Sequence, residues 1–464
     1  MDEAVFYITE GDPADKHSQE SLGAIASIQT SQHFTSFRNA DCPRYGAALT
    51  GMGPGERLFI AGRNKALITS YSWGKESAEQ RFPVPENMAC LSVAHHPLTG
   101  SNQYKPQYSV PWLLAAGSKS GKLYVWEISS GNLLCVKDAH YQEISVIKFS
   151  KCGTFVFTGG LDSRVMVWRT LDLVGEDSTA TKPYASFTDH SLAITDLLVS
   201  ESSLVTDLRL YTTSKDGTLR VYDVSTKSLL TTFVFSVPVE CVARDPAGRA
   251  LYAGLNNGTL RQVPMYVVNQ FTHVLEAIGG HGKIVTVESD PNLHQTFVHH
   301  QDGNSTPTLM AVSLDGMFLI SGDNTGRVFV SDVVTKQVVK AFTPCKSGIA
   351  YLEVGVHGTK TLNGESEFDK KHRLLPGLKR VLVSPDLLEH AVTMQIPGVE
   401  ETDVEFQKWL QQKAHEEFEF KLGDEVTVSS GGKEAELEEK LQKVSNAYNS
   451  LKTMYEDLYA EHNK

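Results

Sequence analysis

Hydrophobic and polar residues alternate with a period of two through most of the chain, which is the pattern of half-buried β-strands. The alternation is clear in five runs, at Val5–Ile8, Arg57–Ala61, Ala66–Tyr71, Thr154–Thr158 and Met317–Ile320. Gly, Asn, Asp and Pro separate such runs at short intervals, as tight turns between strands require. Helical periodicity is almost absent before Pro397, so the pattern predicts an all-β body over residues 1–397.

One structural unit recurs along this body. A tight polar turn is followed by a strand that ends near an aromatic or acidic residue, and these strands begin at Lys122, Arg164, Thr218, Thr259 and Arg327. The first four starts lie 42, 54 and 41 residues apart. A repeat of about 40–45 residues is typical of a WD-repeat β-propeller.

The number of strand pairs predicts seven blades, with eight as the alternative. A closed propeller places both chain ends in one blade, because an open ring would leave unpaired strand edges. We expect Val5–Ile8 and Gly23–Ile28 to share that blade with Lys379–Ser384 and Ala391–Ile396. Four polar or Gly/Pro-rich stretches are expected to leave the blades as loops, either solvated or in contact with partners: Thr99–Pro111, Asp172–Lys182, Asp290–Pro307 and Val356–Leu375.

The pattern becomes helical after Pro397. Residues 398–432 read as a charged helical linker, Asp403–Leu422, followed by a flexible joint at Val426–Gly432. Residues 433–464 are predicted to form a coiled-coil helix, because apolar residues recur there at alternating intervals of four and three. This seam consists of Leu437, Leu441, Val444, Tyr448, Leu451, Tyr455 and Leu458, with His462 at its end. It is expected to bind a partner, and the sequence leaves open self-association, a helix of another subunit, or packing back on the propeller.

Composition narrows the class of protein. The 464 residues are 41% hydrophobic, enough for a large packed body, and no apolar run approaches the length of a membrane helix. The N-terminus has no basic region followed by an apolar run, so no secretory signal is expected. Six scattered cysteines without a CxxC pair predict an intracellular protein with free thiols.

Charge is concentrated at the C-terminal end. The formal net charge is −12, and residues 400–464 hold 16 acidic and 8 basic side chains. A protein that grips phosphate backbones over its whole surface carries a basic excess, so strong nucleic-acid binding by the entire chain is disfavoured. A local basic face on the propeller, and with it direct contact to a nucleic acid, is left open.

Two sets of side chains resemble a Ser-His-Asp catalytic arrangement. They are His140, Thr158, Asp162 and Trp168, and His190, Thr212, Asp216 and Tyr222. Their spacing matches the hydrogen-bonded tetrad of WD-repeat families, in which His, Ser or Thr, Asp and Trp tie the strands of one blade together. Since buried polar groups persist when each finds a partner, we interpret both sets as structural. Tyr222 stands where these families have Trp, and Ser120 stands where they have Asp.

Other candidate chemistry is weak. The adjacent pairs His95–His96 and His299–His300 would point to opposite faces of a strand, and no third ligand lies at metal-site spacing. Gly51–Gly55 lacks the Lys-Ser/Thr and the helix of a phosphate-binding loop. We therefore expect no catalytic residue, no metal and no cofactor.

Several stretches together resemble one family. They are Glu76–Glu86, Ser120–Glu127, Ala139–Gln142, Asp162–Trp168 and Ala447–His462. They resemble the WD-repeat subunit of the fungal Rix–Ipi complex, to which the metazoan WD-repeat subunit of the equivalent nucleolar complex is related. The resemblance spans nearly the whole chain and includes the tail, which a generic propeller would lack.

The resemblance implies a scaffold protein of the nucleus, in the nucleolus or nucleoplasm. Its implied partners are the other subunits of the Rix–Ipi complex, the pre-60S particle and a midasin-type AAA ATPase, with no membrane. Its implied roles are removal of the internal transcribed spacer of rRNA, recruitment of that ATPase and, in some members, replication-origin licensing on chromatin. The alternative is a substrate-recruiting propeller of a ubiquitin ligase. An enzyme would require clustered carboxylates or metal ligands in the central channel.

Overall fold

The structure of the protein is a computed structural model. The structure describes residues 2–11, 22–51, 56–73, 75–94, 113–175, 182–202, 204–271, 273–287, 294–297, 300, 305–357, 374–382, 408–409, 411–413, 415 and 434–462. The chain divides into two compact units, Met1–Val392 and Thr393–Lys464. Within the described residues, no helix is both long enough and apolar enough to cross a membrane.

Strands are the main secondary structure among the described residues of the first unit. In chain order they are β1 (Asp2–Thr9), β2 (Leu22–Ser27), β3 (His33–Arg38), β4 (Ala47–Leu49), β5 (Arg57–Ala61), β6 (Leu67–Ser72), β7 (Gln80–Pro83), β8 (Met88–Ala94), β9 (Leu113–Ser118), β10 (Lys122–Glu127), β11 (Leu133–Asp138), β12 (Ile144–Phe149), β13 (Phe155–Gly160), β14 (Val165–Arg169), β15 (Ala185–Phe187), β16 (Ile194–Val199), β17 (Arg209–Ser214), β18 (Thr218–Asp223), β19 (Ser228–Val234), β20 (Val239–Arg244), β21 (Ala250–Leu255), β22 (Leu260–Pro264), β23 (Tyr266–Val268), β24 (Leu275–Ala277), β25 (Lys283–Thr286), β26 (Thr296–Phe297), β27 (Pro307–Val312), β28 (Phe318–Asp323), β29 (Val328–Asp332), β30 (Val338–Ala341) and β31 (Ile349–His357). Among the described residues, the helical elements with defined ends are α1 (Thr170–Val174), a 3-10 turn (Val205–Asp207) and α2 (Glu434–His462).

These strands form seven antiparallel blades around a central axis, which confirms the predicted propeller and its blade number. Blade 1 is β4–β7, blade 2 is β8–β11, blade 3 is β12–β15, blade 4 is β16–β19 and blade 6 is β27–β30. Blade 5 consists of β20, β21, β22 and β26, and blade 7 consists of β31, β1, β2 and β3. The inner strands of successive blades pack side by side, from β4 through β8, β12, β16, β20 and β27 to β31.

The ring closes in blade 7, where the first strand of the chain pairs with a late one. β1 runs antiparallel to β31, with Val5 opposite Val354 and Tyr7 opposite Leu352. The expectation that both ends of the body share one blade is thus confirmed, but the predicted closing strands were wrong. Residues 379–382 form no strand beyond an isolated bridge between Leu133 and Leu382, and 383–396 lie outside the described residues.

The inner strands carry a repeated irregularity that links one blade to the next. A register shift occurs near the start of β12, β16 and β27, and it frees one hydroxyl side chain in each. Ser145 donates to the Ile194 carbonyl at 2.8 Å, Thr195 to Val239 at 2.7 Å and Thr308 to Ile349 at 2.8 Å. Each bond reaches the first residue of the next inner strand, so the bulges fasten adjacent blades beside the axis.

The structure differs from the sequence in two further places. The stretch Asp290–Pro307 was expected to be only a loop, but it contains strand β26. This strand pairs with β22 and so completes blade 5. Residues 265–287, for which no insertion was expected, hold the separate hairpin β23–β24 and the strand β25. Strand β25 adds to the edge of blade 4, parallel to β19. The stretch Thr99–Pro111, the joint Val426–Gly432 and most of the linker lie outside the described residues.

Candidate functional site

The side chains of the first predicted tetrad meet inside blade 3. His140, in the turn before β12, places Nδ1 2.9 Å from Asp162 Oδ1 and Nε2 2.9 Å from Thr158 Oγ1. Trp168 completes the chain, because its indole N–H donates to Thr158 Oγ1 at 3.4 Å. Burial raises the pKa of Asp162, but hydrogen bonds from His140 and from backbone N–H groups outweigh it, so this pKa lies below its usual range. Both ring nitrogens of His140 thus have a partner in the same blade, Asp162 at Nδ1 and Thr158 at Nε2.

In the second predicted set, inside blade 4, three of the four side chains are in contact. His190 lies 3.1 Å from Asp216 and 2.7 Å from Thr212 Oγ1. Tyr222 does not reach Thr212; its hydroxyl donates instead to Asp189 Oδ2 at 3.0 Å. Burial again opposes ionisation of Asp216, but hydrogen bonds from His190 and Thr218 outweigh it and lower the pKa of that carboxyl.

Blade 6 contains a third hydrogen-bonded set of this kind, which the sequence analysis did not predict. His300 lies 2.9 Å from Ser321 Oγ and 3.2 Å from Asp323 Oδ2, and Arg327 Nε donates to the same carboxylate oxygen at 3.0 Å. Hydrogen bonds from His300 and from the backbone N–H of Arg327 outweigh the effect of burial and lower the pKa of Asp323 to about 2. The spacing from His300 to Asp323 is 23 residues, close to the 22 from His140 to Asp162, and could have identified this set.

Blade 2 contains only one member of the tetrad. Val84, Ala116 and Ser120 occupy the positions that correspond to His140, Thr158 and Asp162 in blade 3. Trp126 remains, but its indole N–H donates to the carbonyl of Lys379 at 2.9 Å, far along the chain. Ser120 instead donates to Glu86 Oε2 at 2.5 Å.

The central channel holds a cavity of about 420 Å³ lined by the inner strands. Its three carboxylates are each engaged nearby: Glu201 lies 3.2 Å from Lys151 Nζ, Asp245 lies 2.7 Å from Arg249 Nε, and Glu353 accepts from the Tyr351 hydroxyl. Among the described residues, no group of three His, Cys, Asp or Glu side chains is placed to bind a metal.

The coiled-coil seam lies on the long helix α2. Four of its residues, Leu441, Val444, Tyr448 and Leu451, are between 66% and 71% exposed. They follow one another at intervals of three, four and three residues, so they share one face of the helix. Leu437, Tyr455 and Leu458 belong to the same helix, but their side chains lie outside the described residues. Residues 408–409, 411–413 and 415 of the linker are also helical.

A second exposed apolar surface was not predicted. The hairpin β23–β24 and strand β25 present Tyr266, Val268, Phe271, Leu275 and Ile284, of which Phe271 is 93% exposed. The signal in the sequence is the run Met265–Val268, which continues the strand pattern past the end of the blade 5 repeat.

These features define a WD-repeat β-propeller with a helical C-terminal unit. In agreement, the family model described as "WD domain, G-beta repeat" matches residues 131–169 and 181–223, which cover blade 3 and much of blade 4.

The comparison with curated proteins identifies the family more closely. A relative from Scheffersomyces stipitis is 50% identical and one from Candida albicans is 51% identical, each over 100% of this chain and 99% of the relative. A relative from Saccharomyces cerevisiae is 30% identical over 100% of this chain and 99% of its own length. All three are named "Pre-rRNA-processing protein IPI3". The chain belongs to this IPI3 family, which confirms the resemblance to the WD-repeat subunit of the Rix–Ipi complex.

Proposed function

We propose that this protein is a non-catalytic scaffold subunit of a nuclear complex that processes pre-rRNA and matures the precursor of the large ribosomal subunit. The observation that carries the proposal is the match over 100% of the chain to relatives named for pre-rRNA processing. A match restricted to the blades would support only the fold. This one includes the helical tail, so both units are shared with those relatives.

The geometry supports a scaffold because its polar sets are already engaged. In blades 3, 4 and 6, both nitrogens of each histidine lie against a carboxylate and a hydroxyl of the same blade. A histidine that acts as a general base needs one ring nitrogen directed at a substrate. The imidazoles of His140, His190 and His300 are buried, and both nitrogens of each already have partners, so they do not meet this requirement. These polar sets thus act as internal ties between strands, and the exposed apolar surfaces are the places where partners bind.

The proposed partners are the other subunits of the Rix–Ipi complex, the pre-60S particle and a midasin-type AAA ATPase. In this role the protein supports removal of the internal transcribed spacer and recruitment of the ATPase, in the nucleolus or nucleoplasm. Origin licensing on chromatin is a further proposed role of the same complex. The helix α2 provides a docking element, because a row of Leu, Val and Tyr on a charged helix is stabilised when a partner covers it.

Affinity purification from nuclear extract tests the proposal. The tagged chain should recover pre-ribosomal proteins and the complex subunits, and its depletion should increase precursors that retain the internal transcribed spacer. Recovery of ubiquitin-ligase adaptors without pre-ribosomal proteins would contradict the proposal.

The double variant Leu441→Asp/Leu451→Asp tests the role of α2 in the same experiment. It should lose partners or self-association, since a buried carboxylate without a partner costs several kcal/mol. Its control is Asn446→Asp/Thr453→Asp, which adds the same charge to the opposite face of the helix. Equal partners and equal mass for both variants would show that the seam is not a docking surface.

A further inference from the structure

The segment that follows the closing strand binds back on the propeller at a distant place. We call residues 374–382 the strap; the chain reaches it from β31 through residues 358–373. The strap lies against blades 1 and 2, where Leu375 and Leu378 are each 8% exposed. They join an apolar cluster that includes Phe82 of blade 1 and Trp126 and Leu133 of blade 2.

The backbone of the strap is recognised by both blades. Gln80 of β7 donates through Nε2 to the Leu375 carbonyl at 2.8 Å and accepts from the Leu375 N–H at 2.9 Å. The Lys379 N–H donates to the Gly131 carbonyl at 2.8 Å, and the Lys379 carbonyl accepts from Trp126. Two apolar anchors combined with satisfied backbone groups are the means by which proteins bind extended peptides.

Two residues of blade 2, Gly131 and Trp126, fit the bound strap specifically. A Cβ at residue 131 would lie 2.4 Å from the Gly377 carbonyl oxygen, so only glycine leaves room for the strap. Ala116 occupies the position that Thr158 occupies in blade 3, so the indole N–H of Trp126 has no acceptor within the tetrad positions of its own blade. An indole N–H with no acceptor is costly in an apolar interior, and the strap supplies the missing acceptor.

We propose that the groove between the outer strands of blades 1 and 2 is a peptide-recognition site for an extended Leu-Pro-Gly-Leu segment, with the strap as its intramolecular occupant. The bound strap replaces the hydrogen-bonded tetrad that blade 2 lacks. It also forms a second closure of the ring beside the pairing of β1 with β31, because it carries the chain from blade 7 to blades 1 and 2.

Peptide binding to the full chain tests the site directly. The probe is a fluorescein-labelled peptide of residues 373–382, and binding is measured by fluorescence anisotropy. The variant Leu375→Asp/Leu378→Asp frees the groove and should bind the probe at least tenfold more tightly than the wild type, whose groove is occupied. The control Leu374→Asp/Val381→Asp changes exposed residues of the same strap and should behave as the wild type. A folded Leu375→Asp/Leu378→Asp variant that does not bind the probe would overturn the proposal.

Native proteolysis tests the occupancy without relying on that variant. Trypsin should cut the wild type slowly after Lys379 and Arg380, because the strap must leave the groove before cleavage. Gln80→Ala removes two hydrogen bonds and should speed cleavage there several-fold, as followed by mass spectrometry. The control Arg81→Ala changes the exposed neighbour of Gln80 and should leave the rate unchanged. Equal rates in the wild type and Gln80→Ala would overturn the occupancy, even if the double variant fails to fold.

Discussion

Replacing Asp162 tests whether the tetrad of blade 3 is a structural tie. The carboxylate accepts from His140 Nδ1 at 2.9 Å, from the Tyr141 N–H at 3.1 Å and from the Arg164 N–H at 3.2 Å. Asp162→Ala removes all three bonds at once and leaves the buried imidazole of His140 without one of its two partners. The change leaves the surface of the propeller intact, so its main effect falls on stability.

The expected loss follows from these contacts. A hydrogen bond to a charged group contributes about 1.5–3 kcal/mol, but the Tyr141 N–H can turn to water, so we expect a net loss of about 2–3 kcal/mol. With an unfolding entropy of about 2.1 cal/mol/K per residue, the 392-residue unit has about 0.8 kcal/mol/K in total. The melting temperature should therefore fall by about 3 °C.

Differential scanning calorimetry of the full chain measures this shift. The control is Asp138→Ala, at an exposed aspartate of β11, which should melt with the wild type. Melting of Asp162→Ala within about 1 °C of the wild type would refute the reasoning. A hydrolytic activity that the folded variant loses would refute the structural interpretation of the tetrad.

Three further predictions concern closure, a turn and pH. Removing residues 1–10 deletes all of β1 and should lower the melting temperature by well over 5 °C, since β31 then loses its partner. Gly121→Ala forces a side chain onto a φ of +87° with Cβ 2.2 Å from the His140 carbonyl oxygen, and should cost more than about 2 kcal/mol in chemical denaturation. Asp323 has a pKa of about 2 in the folded protein. Its ionised form therefore stabilises the fold fully above the ordinary carboxyl pKa of about 3.9, and this stabilisation is lost as the pH falls. The stability difference between the wild type and Asp323→Asn should thus be constant from about pH 5 to 8 and shrink between about pH 4 and 2, in denaturation curves across that range.

Each of these has a result that contradicts it. Shared closure is wrong if the truncated chain melts at the wild-type temperature. The turn argument fails if Gly121→Ala is no less stable than Gly377→Ala, a position where a Cβ meets open space. The tie between Asp323 and His300 fails if the Asp323→Asn difference does not change with pH.

The sequence alone predicted the blades, with seven as their number and eight as the alternative, because alternation and turn chemistry are local. The strand that starts at Lys122 after Ser120-Gly121 needs only its own residues to predict it, and the same holds for the unit at Arg164. The spacing along the sequence also predicted that four side chains form one set, and the structure brings them into contact: His140, Thr158, Asp162 and Trp168. In the tail, intervals of three and four residues sufficed to place Leu441, Val444, Tyr448 and Leu451 on one face of α2.

Only the tertiary structure decided which distant strands and segments pair. Apolar and polar residues alternate both in residues 379–384 and in residues 349–357. The inner strand of blade 7, which packs beside β27 and pairs with β1, is nevertheless Ile349–His357. The remaining segment can then bury Leu375 and Leu378 between blades 1 and 2. In the same way β25 joins blade 4 although it follows a strand of blade 5. Such choices depend on the shape and unpaired edges that the assembled ring offers, and these exist only after the local strands have come together.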